Sequence, residues 1–167
     1  MELLDVYDIN GKKTGKIIER NDINSGLKEG EYVAIAQIFI ENDKGEFLIE
    51  QSAKKTGNRF LPAGGHISSG ENAYETIIRE VKEELGLDLS NENIVDLGFI
   101  HCDERLRNIF YLKKNIDLSE LTFQKEEVLN VSYMSIDKIK EFVDEGLMHP
   151  SHNIIIKKIL EFKSKVA

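Results

Sequence analysis

Three glutamates, Glu80, Glu83 and Glu84, are the residues of this sequence best placed to do chemistry. They occur at positions i, i+3 and i+4, so a helix would carry their carboxylates on one face. At ~5–6 Å, two unit charges repel by roughly 1 kcal/mol in water and about 3 kcal/mol at an effective dielectric of 20. A hard divalent cation relieves this repulsion, because it prefers carboxylate oxygens and can hold phosphate oxygens on its other face. The spacing therefore predicts a site for a hard divalent metal ion.

These glutamates belong to a longer pattern over residues 65–87, GHISSGENAYETIIREVKEELGL. It fits Gly-x5-Glu-x7-Arg-Glu-U-x-Glu-Glu-x-Gly-U without a mismatch, where U is an apolar residue. A lone Glu-Glu pair on a helix is usually a solvated face, but the whole pattern should match by chance in on the order of one chain in ten million. The pattern is the Nudix box, and the chain resembles the Nudix hydrolase family.

The resemblance implies a set of metal ligands at the matching positions. Glu80, Glu83 and Glu84 correspond to ligands that bind the metal directly or through water, and the backbone carbonyl of Gly64 corresponds to a further ligand. The expected cofactor is Mg²⁺ or Mn²⁺, which would neutralise phosphate charge and activate a water molecule. The number of metal ions stays open.

The resemblance also implies catalytic roles. Arg79 corresponds to a residue that orients the glutamates by ion pairing, with Glu71 as a candidate partner. The general base is either Glu83 or Glu80, or a carboxylate from a loop outside the box. The loop candidates are Glu104, Glu126 and Glu127.

Two further segments resemble the isopentenyl-diphosphate isomerases, which share the fold and bind a metal. These segments are the N-terminal LLDVYDINGKKTGK and Gly-Gly-His-Ile-x-x-Gly-Glu. The isomerases carry a catalytic cysteine immediately before the Gly-His pair, whereas this chain has Gly64 there, and its box is complete where theirs is usually degenerate. Both differences favour hydrolysis. His66 matches a metal-ligating histidine of the isomerases, and either ligation or a hydrogen bond beside the site is compatible with the sequence.

The glutamates of the box are expected on a helix, and the apolar residues of the same segment indicate which side of that helix is buried. We expect this helix from Asn72 to Leu85, capped by Ser68 or Ser69 and ended by Gly86. At 100° per residue its apolar stripe is centred about 120° from the glutamates, so one side can enter a core while the acids face a cleft. The stripe comprises Tyr74, Ile77, Ile78, Val81 and Leu85.

The remaining pattern predicts an α/β/α sandwich of the Nudix type with a mixed β-sheet. An Asn10-Gly11 turn indicates an N-terminal hairpin, and two polar segments, 22–31 and 54–65, indicate loops. Strands are expected at 33–40, 46–51, 94–102, 107–113 and 128–134, and helices at 136–145 and 150–165. We expect one domain over 1–167, with the hairpin and loop in 1–31 and a C-terminal helix in 147–167.

Composition bounds the function. The 167 residues are 41% hydrophobic and 31% charged, which suits a soluble globular domain. The net charge of -8 argues against a nucleic-acid polymer as partner. No apolar run approaches the ~20 residues that span a bilayer, and the N-terminus lacks a signal-peptide pattern. The lone Cys102 fits a reducing compartment, so we expect a cytoplasmic protein.

The sequence therefore predicts a metal-dependent hydrolase that cleaves a diphosphate linkage in a nucleoside diphosphate linked to another moiety, X. The expected partner is a small-molecule diphosphate substrate, and family resemblance suggests a homodimer. One alternative is an isopentenyl-diphosphate isomerase-like enzyme. Another is a non-catalytic module that binds a nucleotide or metabolite. The box concerns the diphosphate alone, so the sequence leaves the identity of X open.

Overall fold

The chain begins with an antiparallel hairpin, as the Asn10-Gly11 turn predicts. A computed structural model describes residues 2–55 and 57–166. In it β1 (Leu3–Tyr7) pairs with β2 (Lys13–Glu19). The segment expected to be a loop at 22–31 contains a helical turn, α1 (Ile23–Gly26), which buries Ile23 beneath the hairpin.

A seven-stranded sheet forms the centre of the described chain. One half is built on β3 (Val33–Glu41), which pairs parallel with β8 (Arg105–Lys113) and antiparallel with β6 (Ala63–His66). The other half is built on β4 (Phe47–Ser52), which pairs antiparallel with β5 (Phe60–Leu61) and β9 (Val128–Met134). Strand β7 (Val95–Cys102) lies at the edge beside β8. Since β3 and β4 are paired at Glu41 and Phe47, next to their connecting turn, the two halves separate beyond it.

The prediction of a loop over 54–65 is wrong for its second half. Strands β5 and β6 form there, the latter by pairing with β3 from Ile38 opposite Ala63 to Ile35 opposite His66. These strands are too short to carry a recognisable alternation. Their hydrogen-bonding partners lie far away along the chain, so local sequence could not predict them.

Helices cover both faces of the sheet, and the predicted α/β/α sandwich with a mixed sheet is confirmed. The box helix α2 (Ala73–Leu85) packs on one face, against alternate residues of β3 that include Ala36 and Ile38. Helices α3 (Ile136–Asp144) and α4 (Ser151–Val166) pack on the other face, against Phe39. None of the helices in the described part of the chain is long and apolar enough to cross a membrane.

The box helix starts later than its predicted cap. Asn72 is the N-cap: its side chain accepts a hydrogen bond from the Glu75 backbone N–H at 2.8 Å, and the Glu75 carboxylate accepts one from the Asn72 N–H at 3.1 Å. This reciprocal pair satisfies two backbone donors that a helix start leaves free. The prediction of Ser68 or Ser69 as the cap is therefore wrong. The helix ends at Gly86, as predicted, with φ of 71°.

One member of the predicted apolar stripe is misplaced. Ile77, Val81 and Leu85 are fully buried, but Tyr74 is 44% exposed. Thr76 is buried instead, and its hydroxyl donates a hydrogen bond to Glu71 Oε1 at 3.0 Å. Since a polar side chain with a partner can be buried at little loss, hydrophobicity alone did not identify this position.

Candidate functional site

Two glycines of β6 bring the backbone against the box helix. The Gly64 N–H donates a hydrogen bond to Glu84 Oε1 at 3.1 Å. Gly64 has φ of 151°, and a Cβ there would lie 2.0 Å from the Ala36 carbonyl oxygen. A Cβ on Gly65 would lie 2.7 Å from Glu80 Cδ. Any side chain at either position would displace the backbone or the carboxylate beside it.

The Gly64 carbonyl is not used by the sheet. Gly64 lies opposite Gln37, and in an antiparallel ladder the residue pairs alternate between those that exchange both hydrogen bonds and those that exchange none. Because the Gly64 N–H is directed to Glu84, this pair belongs to the second kind. Its carbonyl oxygen therefore leaves β6 on the side of the box helix, where the sequence predicts a metal ligand.

Arg79 joins the acids of the box. Its Nε and Nη2 donate to the two carboxylate oxygens of Glu71, each at 2.8 Å, and its Nη1 donates to Glu80 Oε1 at 3.1 Å and Glu83 Oε2 at 3.2 Å. Hydrogen bonds from Arg79 lower the pKa of Glu71, and those to Glu71 raise the pKa of Arg79. The predicted contact between Arg79 and Glu71 is present, as a bidentate ion pair.

The three glutamates of the box lie in different environments. Glu83 has a 48% exposed side chain held by Arg79, whereas Glu84 is only 7% exposed. Glu80 is intermediate, and burial raises its pKa, with the Arg79 charge acting in the opposite direction. The helix therefore presents one acid to solvent and buries another at the base of the site.

A fourth carboxylate, Glu50 of β4, completes the cluster. It is 3% exposed, and the neighbouring Glu84 side chain acts to lower its pKa. Burial is the largest cause of a raised pKa in both Glu50 and Glu84, and the charge of each neighbouring acid adds to it. Glu50 Oε2 has no hydrogen-bond partner. An all-oxygen set of buried acids with an unpartnered oxygen fits a hard divalent cation, which can replace the protons that otherwise neutralise it.

The sequence held a signal for Glu50 that was missed. In a strand, alternate side chains share a face, so Glu50 points the same way as the buried Leu48. An acid at an inward position of an apolar strand is rarely found without a partner. Of the loop candidates for the base, Glu127 lies near the cluster, since its charge raises the pKa of Glu50 and of Glu84. Glu104 and Glu126 are exposed.

The N-terminal hairpin fixes the loop that precedes the box helix. Asp5 of β1 accepts hydrogen bonds from the Ser69 hydroxyl and the Gly70 N–H, both at 2.9 Å, and pairs with Lys13 at 3.0 Å. Burial acts to raise the pKa of Asp5, but these partners outweigh it and leave the pKa lowered. The hairpin is therefore part of the structure that positions the site.

His66 faces away from the acids, because side chains alternate along β6 and Gly65 faces Glu80. Its Nε2 accepts a hydrogen bond from Arg105 Nε at 3.3 Å. Burial, followed by the charges of Arg20 and Arg105, lowers its pKa to about 3. Ligation of a metal by His66 stays a prediction.

A separate compact group lies near the end of β7. Cys102 Sγ is 3.9 Å from both ring nitrogens of His149, and Asp103 Oδ2 is 3.6 Å from His149 Nε2. Their possible ligand atoms all lie within 4.8 Å of one another. Asp103 is 71% exposed and has φ of 58°. The box acids are spread more widely, with Glu80 and Glu83 held on Arg79.

A cavity of about 370 Å³ is lined by residues whose charges reach the site. Its lining charges act on the site: the Glu2 charge raises the pKa of Glu80, and those of Arg20 and Lys54 lower the pKa of His66. Its lining residues are Glu2, Glu19, Arg20, Asn21 and Lys54. The cavity is large and polar enough to admit a charged group.

A family profile, a related sequence and related folds among known proteins all agree on what this chain resembles. Residues 31–158 match the sequence profile of the NUDIX domain. An uncharacterized Nudix hydrolase of Listeria innocua is 30% identical over 168 residues, which cover 98% of this chain and 96% of the relative. DR0079 from Deinococcus radiodurans has a similar fold, with a TM-score of 0.76 at 17% identity over 94% of this chain and 98% of that one. An Ap4A hydrolase of Caenorhabditis elegans has a TM-score of 0.58 at 18% identity over 78% and 98%.

Proposed function

The chain belongs to the Nudix hydrolase family, and from this premise we propose that it hydrolyses a diphosphate linkage in a nucleoside diphosphate linked to another moiety, X. The family membership makes it a pyrophosphatase-type hydrolase acting on a small molecule. The observation that carries the finer proposal is the cluster of Glu50, Glu80 and Glu84, whose pKa values are all raised by burial. Such a cluster needs a counter-charge, and a divalent cation with a diphosphate supplies one.

Mg²⁺ or Mn²⁺ is the proposed cofactor. Glu80, Glu83, Glu84 and the Gly64 carbonyl would hold it, with Glu50 supporting Glu84 from the sheet. When bound, the cation lowers the pKa of a coordinated water and neutralises phosphate charge. The donors are all oxygens, which these two ions prefer over softer metals.

The chain's own residues then orient the carboxylates of the site and accept a proton from the attacking water. Arg79, held by Glu71, keeps Glu80 and Glu83 in place. The attacking water gives its proton to Glu83 or Glu80, forms a bond to phosphorus, and the bridging P–O bond breaks to release a phosphorylated product. Glu127 is the alternative base from outside the box, since it is the loop candidate whose charge reaches the cluster.

We expect turnover in a panel of nucleoside di- and triphosphates, sugar nucleotides, dinucleoside polyphosphates and coenzyme diphosphates, with Mg²⁺ or Mn²⁺ present. The Ap4A hydrolase among the fold neighbours is the reason to include dinucleoside polyphosphates. Glu83→Gln and Glu84→Gln should each lower kcat by about 10²-fold or more, as for loss of a general base or a charge-stabilising group. Glu161→Gln, an exposed acid of α4, is the matched control. Unchanged turnover in both box variants would refute the assigned roles.

Gly64 argues against the isomerase alternative. The catalytic cysteine of the isomerases would occupy this position, where a Cβ would meet the Ala36 carbonyl oxygen at 2.0 Å. Conversion of isopentenyl to dimethylallyl diphosphate by the purified protein would nevertheless establish that activity. Tight, metal-dependent binding of a diphosphate without turnover would instead favour the non-catalytic module.

We further propose that residues 1–167 act as one domain and that two copies form a homodimer. The hairpin within 1–31 supports the first proposal, because Asp5 holds the loop before the box helix. The C-terminal helix in 147–167 also supports it, because Lys163 Nζ lies 2.6 Å from Glu41 Oε2 of the central strand. Family resemblance alone supports the dimer, and sedimentation equilibrium tests it.

A further inference from the structure

On the face of the sheet opposite the box helix, the region around Ile35 is not fully covered, and we refer to this region as the cleft. Ile35, in the middle of β3, pairs with His66 on one side and with Arg107 on the other. Ile35 is partly exposed although it lies in a central strand, so no helix covers it in the described part of the chain. Arg105 shares this face with Arg107 and donates a hydrogen bond to His66. On this face the apolar Ile35 is thus flanked by the basic side chains of Arg105 and Arg107 and by His66.

The cleft contains buried polar atoms that lack partners. Gln37 Oε1, Arg107 Nε and His152 Nε2 have no hydrogen-bond partner, although their residues are 4%, 8% and 1% exposed. Buried polar groups are nearly always paired. Three such atoms on the same side of one sheet therefore indicate that a ligand supplies what the protein does not.

The basic groups of the cleft also lack ion-pair partners among the described residues. Among residues 2–55 and 57–166, the arginine ion pairs are made by Arg20 and Arg79, whereas Arg105 and Arg107 make none. Burial lowers the pKa of Arg107, with the Cys102 side chain and, less strongly, the Asp103 charge acting to raise it. A buried guanidinium without a carboxylate is unfavourable unless an anion joins it. The protein's net charge of -8 makes two adjacent unpaired arginines more notable.

His152 offers a hydrogen-bond acceptor, whereas the arginines of the cleft offer only donors. Its Nδ1 lies 2.8 Å from the His149 carbonyl oxygen, which can only accept, so Nδ1 carries the proton. Burial lowers the pKa of His152 to about 4, so the ring is neutral near pH 7 and Nε2 is an acceptor. With Gln37 Oε1, it suits a hydroxyl, while Arg107 suits an oxyanion.

We propose that this cleft binds a sugar phosphate within the moiety X, with Arg107 and Arg105 holding its phosphate and Gln37 and His152 each placed to accept a hydrogen bond from a sugar hydroxyl beside it. This inference rests on the proposed function, because X is the group beyond the hydrolysed diphosphate. Gly64 lies two residues from His66 along β6, and β3 separates β6 from β8. Strand spacing and rise then place the Cα atoms of Gly64 and Arg107 about 12 Å apart. The second phosphate is therefore remote from the bond that breaks.

Phosphate binding without metal tests the cleft alone. In EDTA, we expect inorganic phosphate to raise the melting temperature of the wild type and to bind measurably in calorimetric titration. Arg107→Met should weaken that binding about tenfold or more, since it removes a charge-assisted hydrogen bond. It should also raise the melting temperature of the ligand-free protein, because an unpaired buried charge is removed. Lys140→Met removes one exposed positive charge as the control. Equal phosphate affinity in all three proteins overturns the proposal.

Should Arg107→Met fail to fold, Arg105→Met and Gln37→Leu take its place. Arg105 is partly exposed, so its removal should leave the fold intact and still weaken phosphate binding. Gln37→Leu should stabilise the ligand-free protein, since it removes an unpartnered buried oxygen. Phosphate affinity unaffected by Arg105→Met overturns the proposal in this case as well.

A substrate pair tests whether the bound phosphate belongs to X. NADPH and NADH share a diphosphate and differ by one phosphate on the adenosine ribose, beside a hydroxyl. With the nicotinamide nucleoside counted as the nucleoside diphosphate, this adenosine half is the moiety X. With Mg²⁺, we expect a higher kcat/KM for NADPH, and Arg107→Met should reduce the ratio between the two about tenfold. Absence of turnover with every diphosphate would contradict the proposed function while leaving phosphate binding measurable. Turnover with no preference that depends on Arg107 would overturn the cleft proposal and leave the hydrolase intact.

Discussion

Glu50 and Glu84 form the buried acid pair that the proposed cation would affect most directly. Burial raises both pKa values above the ordinary 4.5 of a glutamic acid. The pair is therefore favourable in the folded state while a proton is shared between the two carboxyl groups. A cation can take the place of that proton, so metal and pH should act on the same free energy of unfolding.

This pair predicts how stability depends on pH in the absence of metal. A raised folded-state pKa contributes stability that is fully present below the unfolded value of 4.5 and is lost as pH rises through the folded value. In EDTA, we expect the urea midpoint to fall between about pH 5 and pH 9. Glu50→Gln, which mimics the protonated acid, should flatten this decline, and Glu161→Gln should not. Identical slopes in the wild type and Glu50→Gln would show that the pair carries no shared proton.

Gly64 supplies a second residue-level prediction. Gly64→Ala should lower the free energy of unfolding by about 3 kcal/mol or more, combining a disfavoured backbone angle with a clash against Ala36. Gly30→Ala is the matched control, because Gly30 has φ of 81° and open space where a Cβ would lie. It should lose only about 1–2 kcal/mol. Chemical denaturation of both variants gives the comparison, and equal losses would mean that the close approach at Gly64 is not rigid.

Residue spacing alone was enough to select most of the candidate site. The box pattern singles out Glu71, which precedes the helix, and Arg79, Glu80, Glu83 and Glu84, whose spacing places them together on it. Their sequence positions could not show that Glu84 is buried while Glu83 is exposed, since burial depends on what packs against the helix. Glu50 and Asp5 were missed because they join the box through strand pairing and tertiary packing.

At the scale of elements, predictions succeeded where a segment carries its own signal. The strand expected at 33–40, the Asn10-Gly11 turn and the helix expected at 136–145 all form close to their expected positions, the helix with Ser135 as its N-cap. Predictions failed where a partner elsewhere decides the structure, as in β5 and β6. The prediction of the N-cap of α2 failed for a further reason. Ser69 is of a residue type that often caps helices, but its hydroxyl donates a hydrogen bond to Asp5 instead.

The two helix caps allow a comparison between stability and function. Asn72→Ala and Ser135→Ala should each lower the free energy of unfolding by about 1 kcal/mol, because each removes an N-cap acceptor. Only Asn72 lies at the start of the box helix, directly after Glu71. We therefore expect Asn72→Ala alone to weaken Mg²⁺ binding, measured by calorimetry. Equal loss of Mg²⁺ affinity in both variants would indicate a general effect of stability.

At the scale of the whole molecule, the sheet separates two chemistries. Its α2 face carries a buried acidic cluster that calls for a cation, and its other face carries unpaired arginines that call for an anion. A substrate that bridges them would combine a diphosphate with a second charged group.

Metal should therefore stabilise the whole fold. A ligand that binds only the folded state at 100 times its Kd adds about 2.7 kcal/mol to the free energy of unfolding. We expect Mg²⁺ or Mn²⁺ to raise the melting temperature of the wild type and to have a much smaller effect on Glu84→Gln. Glu161→Gln should respond as the wild type does. A metal response retained in Glu84→Gln would place the principal cation site elsewhere, with the group of Cys102, Asp103 and His149 as the next place to look.

The most direct measurement is anomalous diffraction from crystals soaked in Mn²⁺. The acidic cluster predicts a strong anomalous peak bounded by Glu80, Glu84 and the carbonyl oxygen of Gly64, with Glu50 behind Glu84. An empty cluster at saturating Mn²⁺, with these side chains turned into solvent, would contradict the account.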